Sequence, residues 1–329
     1  MTRFQARRSF VIRAAAMGAG LGFSKFGFGQ AAFPDKSRTM RGIVPLAAGS
    51  TVDALARIYA QQMGEILGTT FIVENRPGGE FLIGIQAVKS APADGYTLLF
   101  SSISSQVVNP HLFKQLPYDP LKDFIPLGGT MKTPLVMIAG PAFPLKTVKE
   151  VVAAAKRDPE KYSYGSVSAT TRVAGAMFAQ AAGIKLLNVP YKNFGDMISD
   201  TLTNRINFFF ADGAALLPYQ SKGMRGLAVC AKTRSSSFPD VPTMAEEGIP
   251  LEIVGYQSAY VAAGTPPAAL AVLRDALKKA EGSKPVRDFI ASTGNEVMNL
   301  HGEQFAAYER SEYDRWGQAV RDAGLAGSL

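Results

Sequence analysis

IVPLAAGSTVDALARIYAQQMGEIL, residues 43–67, is the stretch whose reading decides the fold. Ile43 and Val44 end a short apolar strand that Pro45 stops. The small residues Ala47, Ala48 and Gly49 leave room for a ligand beside the backbone. A hydroxyl at Ser50 or Thr51 can accept an orphan N–H of the turn that follows. Beyond it, Val52, Leu55, Ile58, Tyr59, Met63 and Ile66 recur at three- and four-residue steps, which predicts an amphipathic helix. Strand, hydroxyl loop and helix N-terminus together make an anion cradle, because unpaired amides and the positive end of the helix dipole face one point. Leu46, Ala47, Ala48, Gly49, Ser50, Thr51 and Asp53 are therefore candidate contacts for a small carboxylate.

The same plan recurs along the chain. Tyr96–Phe100 reads as a buried strand, and Ser101–Ser105 as a hydroxyl-rich loop at its carboxyl end. Ligands of open α/β sheets bind outside such ends, so Ser101 and Ser102 join the candidates. Tyr162–Gly165 leads into Ser166, Ser168, Thr170, Thr171 and Arg172, and then into a helix through Gln180. Phe124–Thr130 and Leu135–Ala139 read as two strands on either side of a unit boundary, and Ile253–Ala262 as the return to the first unit. Three helices close the chain, with a short strand predicted between the last two. Strands alternating with helices predict mostly parallel α/β sheets. Residues 32–136 and 255–329 would form one domain and residues 137–254 the other, with a ligand held in the cleft between them.

Composition excludes several classes. The chain of 329 residues carries a formal charge of +8, but Arg3, Arg7, Arg8, Arg13 and Lys25 lie in an acid-free leader. Without them 30 basic residues face 27 acidic ones, so nucleic-acid binding has no electrostatic footprint. Arg7-Arg8-Ser9-Phe10-Val11-Ile12 resembles a twin-arginine export signal, and the apolar run after it is too short for a membrane span. Cleavage near Ala31 would release the protein into the periplasm. The single Cys230 lies in an apolar run and reads as core. His111 and His301 lack metal-type spacing, and no cofactor is implied. The chain carries no G-x-S-x-G elbow, P-loop or HExxH, so no enzyme is expected.

An ordered set of segments carries a family likeness. It comprises Pro45–Gly49 with Asp53, Glu74–Gly78, Ala91–Leu98, Asn109-Pro110, Leu116–Pro120, Val189–Lys192, Asp240–Thr243 and Ala263–Pro266. Together these resemble the periplasmic solute receptors of tripartite tricarboxylate transporters, the Bug-type receptors. The likeness runs from about Phe33 to Gly324. It implies an α/β, type II periplasmic-binding-protein fold, with two βα domains around a ligand cleft. It also implies capture of a small carboxylate by the loops matching Leu46–Asp53 and Ser166–Arg172, partly through ordered water. A monomer would then deliver the solute to membrane permease subunits.

Departures from that pattern bear on the ligand. Val52 replaces one hydroxyl of the first loop, and Gly78-Gly79-Glu80-Phe81-Leu82 is bulkier and more acidic than the usual glycine-rich turn. Ala211 stands where amino-acid-binding members place an aspartate, with Asp212 next to it. A one-residue shift along a strand points a side chain the other way. Arg172 adds a guanidinium, which suits a carboxylate. These changes point to an organic acid without an ammonium group that can carry a second acidic group near Arg172, and Phe81, Tyr191, Phe208, Phe210 and Tyr256 could line a pocket for an aromatic acid. A sensory receptor that presents its closed form to a membrane signalling protein would share the fold and pocket.

Overall fold

The computed structural model describes residues 33–159, 161–235 and 237–329, so the leader expectation for residues 1–31 lies outside the described residues. Strand β1 (Met40–Val44) leads through helix α1 (Thr51–Leu67) to β2 (Phe71–Asn75), and α2 (Leu82–Lys89) leads to β3 (Thr97–Ser102). Both β2 and β3 pair with β1 in parallel. A five-residue π turn (Ser104–Val108) and the short α3 (Asn109–Leu112) precede β4 (Phe124–Ala139). Next come α4 (Val148–Arg157), β5 (Ser163–Ser166), α5 (Ala169–Ala182), β6 (Leu187–Pro190), α6 (Phe194–Leu202), β7 (Phe208–Asp212) and β8 (Arg225–Val229). Strand β9 (Val254–Ala262) and helices α7 (Pro267–Glu281), α8 (Lys284–Ser292) and α9 (Gly302–Asp322) complete the chain.

The strands run in the order β2-β1-β3-β9-β4-β7-β5-β6, with β8 also on β4. Strand β4 is the pivot of this order. Its residues Phe124–Pro134 pair with β9, and Leu135–Ala139 pair with β7 and β8. The two strands expected here are therefore one strand of 16 residues. Pro126 and the Gly128-Gly129 pair lie within the first of them, and the ladder shifts register around them, as bulges allow. The mostly parallel sheet is a second correction. Among the described residues β3–β9, β4–β9, β4–β7 and β4–β8 are antiparallel. The short strand expected between the last two helices is reduced to single bridges, Lys132 to Glu296 and Gly128 to His301.

Local chemistry sets the helix ends. Ser50 caps α1 by accepting from the Asp53 amide, and Gly68 ends that helix at φ 67°. Ser168 and Thr171 form a capping box at the start of α5. That cap starts α5 at Ala169, so Thr170, Thr171 and Arg172 sit on the first helical turn rather than in a loop.

Three apolar clusters hold these elements. Leu55, Tyr59 and Met63 of α1 pack with Leu98, Phe100 and Leu273. Val136, Ile138, Met197 and Phe209 form the core under β7 and α6. The third cluster joins Trp316 and Phe305 of α9 to Val107 of the π turn and Phe178 of α5. Each such side chain contributes roughly 1.5–3 kcal/mol when fully buried. This last cluster fixes the π turn against α5.

Candidate functional site

The first cradle is held by one carboxylate. Asp53 Oδ2 accepts from the Gly49 amide at 2.8 Å, and Oδ1 accepts from Asn75 Nδ2 at 2.9 Å. Arg57 Nη2 lies 2.9 Å from the same Oδ1, and Asn75 Nδ2 also donates to the Leu46 carbonyl at 3.1 Å. Burial opposes the charge on Asp53, but the Gly49 amide, Asn75 and Arg57 together hold its pKa below the usual value. The turn is thus tied from both ends, with Gly49 at φ 83° where a side chain would be strained. Ala47 and Ala48 are exposed at its tip, and among the described residues their amides have no hydrogen-bond partner. The Thr51 and Val52 amides precede the first helical hydrogen bond and point the same positive helix end outward.

The second cradle is the start of α5. Thr171 Oγ1 accepts from the Val167 and Ser168 amides, both at 3.1 Å, and the Thr171 amide donates to Ser168 Oγ at 3.3 Å. Tyr164 Oη donates to the Arg172 carbonyl at 2.9 Å. Gly175 permits this packing, since a Cβ there would stand 2.0 Å from the Tyr164 ring.

Each cradle is tied to a neighbouring element. Ser104 of the π turn and Thr170 of α5 share a hydrogen bond of 2.7 Å between their buried hydroxyls. The Thr51 hydroxyl is near enough to the carboxyl of Asp212, at the end of β7, to favour its charged form. Burial pushes the Asp212 carboxyl up, while the Ala215 and Ala214 amides and Thr51 favour its charged form. Asp212 Oδ1 accepts from the Ala215 amide at 3.2 Å, capping the short 3-10 turn after β7.

Four of the expected contact residues are moved behind the site. The Asp53 carboxylate is engaged inside its own loop, as above. Ser101 is 1 % exposed and its hydroxyl is 2.7 Å from that of Ser105. Ser166, also buried, accepts from Asn188 Nδ2 at 2.9 Å. Ala211 packs with Val136 and Phe209, because alternation on β7 sends it opposite to Asp212. Leu46, Ala47, Ala48, Gly49, Ser50 and Thr51 lie on the first cradle with Asp212 near Thr51, Ser168, Thr170, Thr171 and Arg172 lie on the second, and Ser102 ends β3 ahead of the π turn. Sequence reasoning missed Ser104 as a named contact, although it lay in the hydroxyl run it drew attention to. Among the described residues no group of His, Cys, Asp or Glu is placed to hold a metal ion.

The comparisons agree with this architecture. The family model described as tripartite tricarboxylate transporter family receptor matches residues 55–325. The protein BugT of Bordetella pertussis (strain Tohama I) is 30% identical over 293 residues, covering 88% of this chain and 90% of BugT. A solved structure described as a periplasmic transporter superposes with a TM-score of 0.81 at 33% identity, covering 90% of this chain and 99% of the other. The periplasmic binding protein BugD gives a TM-score of 0.79 at 27% identity over 88% and 98% of the two chains. An R. palustris protein with adipate gives 0.82 at 26% identity, again over 88% and 98%. The α/β, type II periplasmic-binding-protein fold read from the sequence is the fold of these neighbours. Fold, matched span and relatives make this chain a member of the tripartite tricarboxylate transporter receptor family.

Proposed function

We propose that the protein is a periplasmic solute-binding receptor that captures a small organic acid and delivers it to a tripartite tricarboxylate-type permease. The observation that carries the reading is the pair of helix starts, α1 and α5, whose first amides have no helical partner, with Thr51 of α1 near Asp212 of β7 and Thr170 of α5 hydrogen-bonded to Ser104 after β3. A carboxylate between them would take hydrogen bonds from amides that have no helical partner. BugD is named a periplasmic binding protein, and the R. palustris neighbour is described with adipate; both support the reading.

The acid lacks an ammonium group in this reading. Ala211 offers no charge, and Asp212 is engaged as a cap. Residues 32–136 with 255–329 form one lobe and residues 137–254 the other, moving about β4 where it changes partner between Pro134 and Leu135. No turnover of the bound acid is part of this function.

Thermal-shift screening of the mature protein tests it. Simple mono- and dicarboxylates should raise the melting temperature in proportion to occupancy. Stabilisation by amino acids alone, or chemical conversion of a bound acid, would sink the reading. Uptake of the stabilising acid should then fall in a strain lacking either this protein or the permease.

A further inference from the structure

Asn75 ends β2 beside Val44, which ends β1, and the Arg76 amide donates to the Val44 carbonyl at 2.8 Å. Helix α2 keeps both strand ends close, since a Cβ on its Gly84 would stand 2.7 Å from Pro45 Cβ and 3.1 Å from the Arg76 carbonyl. The half-buried Asn75 side chain thereby reaches the loop that follows Pro45. All of its amide is used. Nδ2 donates to the Leu46 carbonyl at 3.1 Å and to Asp53 Oδ1 at 2.9 Å, and Oδ1 accepts from Arg57 Nη2 at 2.8 Å. The opposite amide orientation would set its oxygen against two acceptors, so these partners fix which way the group points. Glu74, on the other face of β2, is engaged by Arg41 and Arg76, and the charged groups in contact with Asn75 are Asp53 and Arg57.

The Leu46 carbonyl and the Ala47 N–H belong to one trans peptide group. They point in opposite directions, so drawing the carbonyl toward β2 turns the Ala47 N–H away from it. The Ala47 carbonyl accepts from the Ser50 amide at 3.3 Å, which holds the following peptide as well. Ala47 is left with an exposed donor whose direction is set from behind.

We propose that Asn75 is the positioning residue of the first cradle: by holding the Leu46 carbonyl and the Asp53 carboxylate together, it aims the Ala47 amide at the bound acid. This rests on the carboxylate reading of the cradles. Asn75 acts through the Leu46–Ala47 peptide rather than on the acid itself. Aspartate has the same shape but, when ionised, offers no donor, and beside Asp53 it would place two carboxylates on one guanidinium. The Leu46 carbonyl would then lose its tether and the peptide could turn.

Calorimetric titration of the mature protein with a panel of carboxylates, acetate through adipate together with benzoate, tests this. At about pH 7, Asn75→Ala and Asn75→Asp should each weaken the best-binding acid about tenfold, the scale of one hydrogen bond to a charged group. For Asn75→Asp that loss should shrink about threefold on going to about pH 5, relative to the unaltered protein, as the introduced carboxyl takes up a proton and regains a donor. Asn75→Ala has no carboxyl to titrate and should show no such recovery. In isotope-labelled unaltered protein, the Ala47 amide proton should move downfield on adding that acid, a measurement that needs no variant. Full affinity in Asn75→Asp at about pH 7, equal pH profiles for the two variants, or an unmoved Ala47 resonance would overturn the positioning role alone. If no acid of the panel binds the unaltered protein, the role falls together with the carboxylate reading. Melting curves of each variant without acid separate lost binding from lost folding.

Discussion

The hydroxyls of Ser104 and Thr170 lie 2.7 Å apart and are both buried, although 66 residues separate them in the chain. One belongs to the π turn after β3, the other to the first turn of α5. They couple the π turn after β3 to the start of α5 through a single neutral hydrogen bond. Replacing Thr170 with Val keeps the volume but leaves the Ser104 hydroxyl without this partner. Thr170→Val should cost about 1–3 kcal/mol in urea unfolding. The double variant with Ser104→Ala should cost less than the sum of the two single changes, a coupling that a double-mutant cycle reads directly. Strict additivity would mean that the hydroxyls do not depend on each other.

Asp53 should make the first cradle sensitive to acid. Its folded pKa is lowered, so the stability it contributes is present above the unfolded value near 3.8 and is lost as pH falls through the lower folded value. Asp53→Asn should flatten the acid limb of the stability profile. Asp53→Ala should also weaken carboxylate binding, because the Gly49 amide and Asn75 lose their acceptor. An Asp53→Ala protein that binds as well as the original would remove this loop from the site.

Glu309 should act in the opposite direction. It is buried in α9, where Tyr256 Oη donates to Oε1 at 3.1 Å and Tyr260 Oη donates to the same oxygen. Burial pushes its carboxyl up to about 7, against the two tyrosine hydrogen bonds, which favour the charged form. A raised folded pKa gives stability that is complete below the unfolded value near 4.5 and disappears as pH rises through about 7. Glu309→Gln should therefore gain up to about 3 kcal/mol relative to the original protein at pH 8. It should gain little near pH 4. Parallel pH profiles for the two proteins in denaturant unfolding would contradict this.

Gly175 is a packing prediction. Gly175→Ala puts a methyl carbon inside the Tyr164 ring, so α5 or the ring must move. We expect a loss of about 1–3 kcal/mol, as for other overpacked cores. Ligand affinity should fall as well, because Tyr164 positions the Arg172 carbonyl. Full stability with full affinity would show that α5 can slide without disturbing the cradle.

Much of this molecule was legible residue by residue. The apolar stripe from Val52 to Ile66 specifies α1, and hydroxyls at Ser50, Thr147 and Ser168 mark where three helices begin. The middle of β4 was less legible. Pro126, Gly128, Gly129 and Pro134 are breakers by local chemistry, yet neighbouring strands supply a ladder that tolerates them through shifts of register. Asp53 was read as a ligand contact because an acid near a helix start is visible in sequence. That its carboxylate is filled by Gly49, Asn75 and Arg57 depends on residues as far away as β2.

By itself the sequence determined the elements and the two amide-bearing helix starts, since capping and periodicity depend on neighbours within a few positions. Only the tertiary structure decided which of those groups share one space. Ser104 meets Thr170, and Thr51 comes near Asp212, because β4 and β9 carry the chain across the sheet and α9 packs the π turn against α5. Contacts between residues many tens of positions apart follow from how the sheet is threaded, and no local pattern encodes that path.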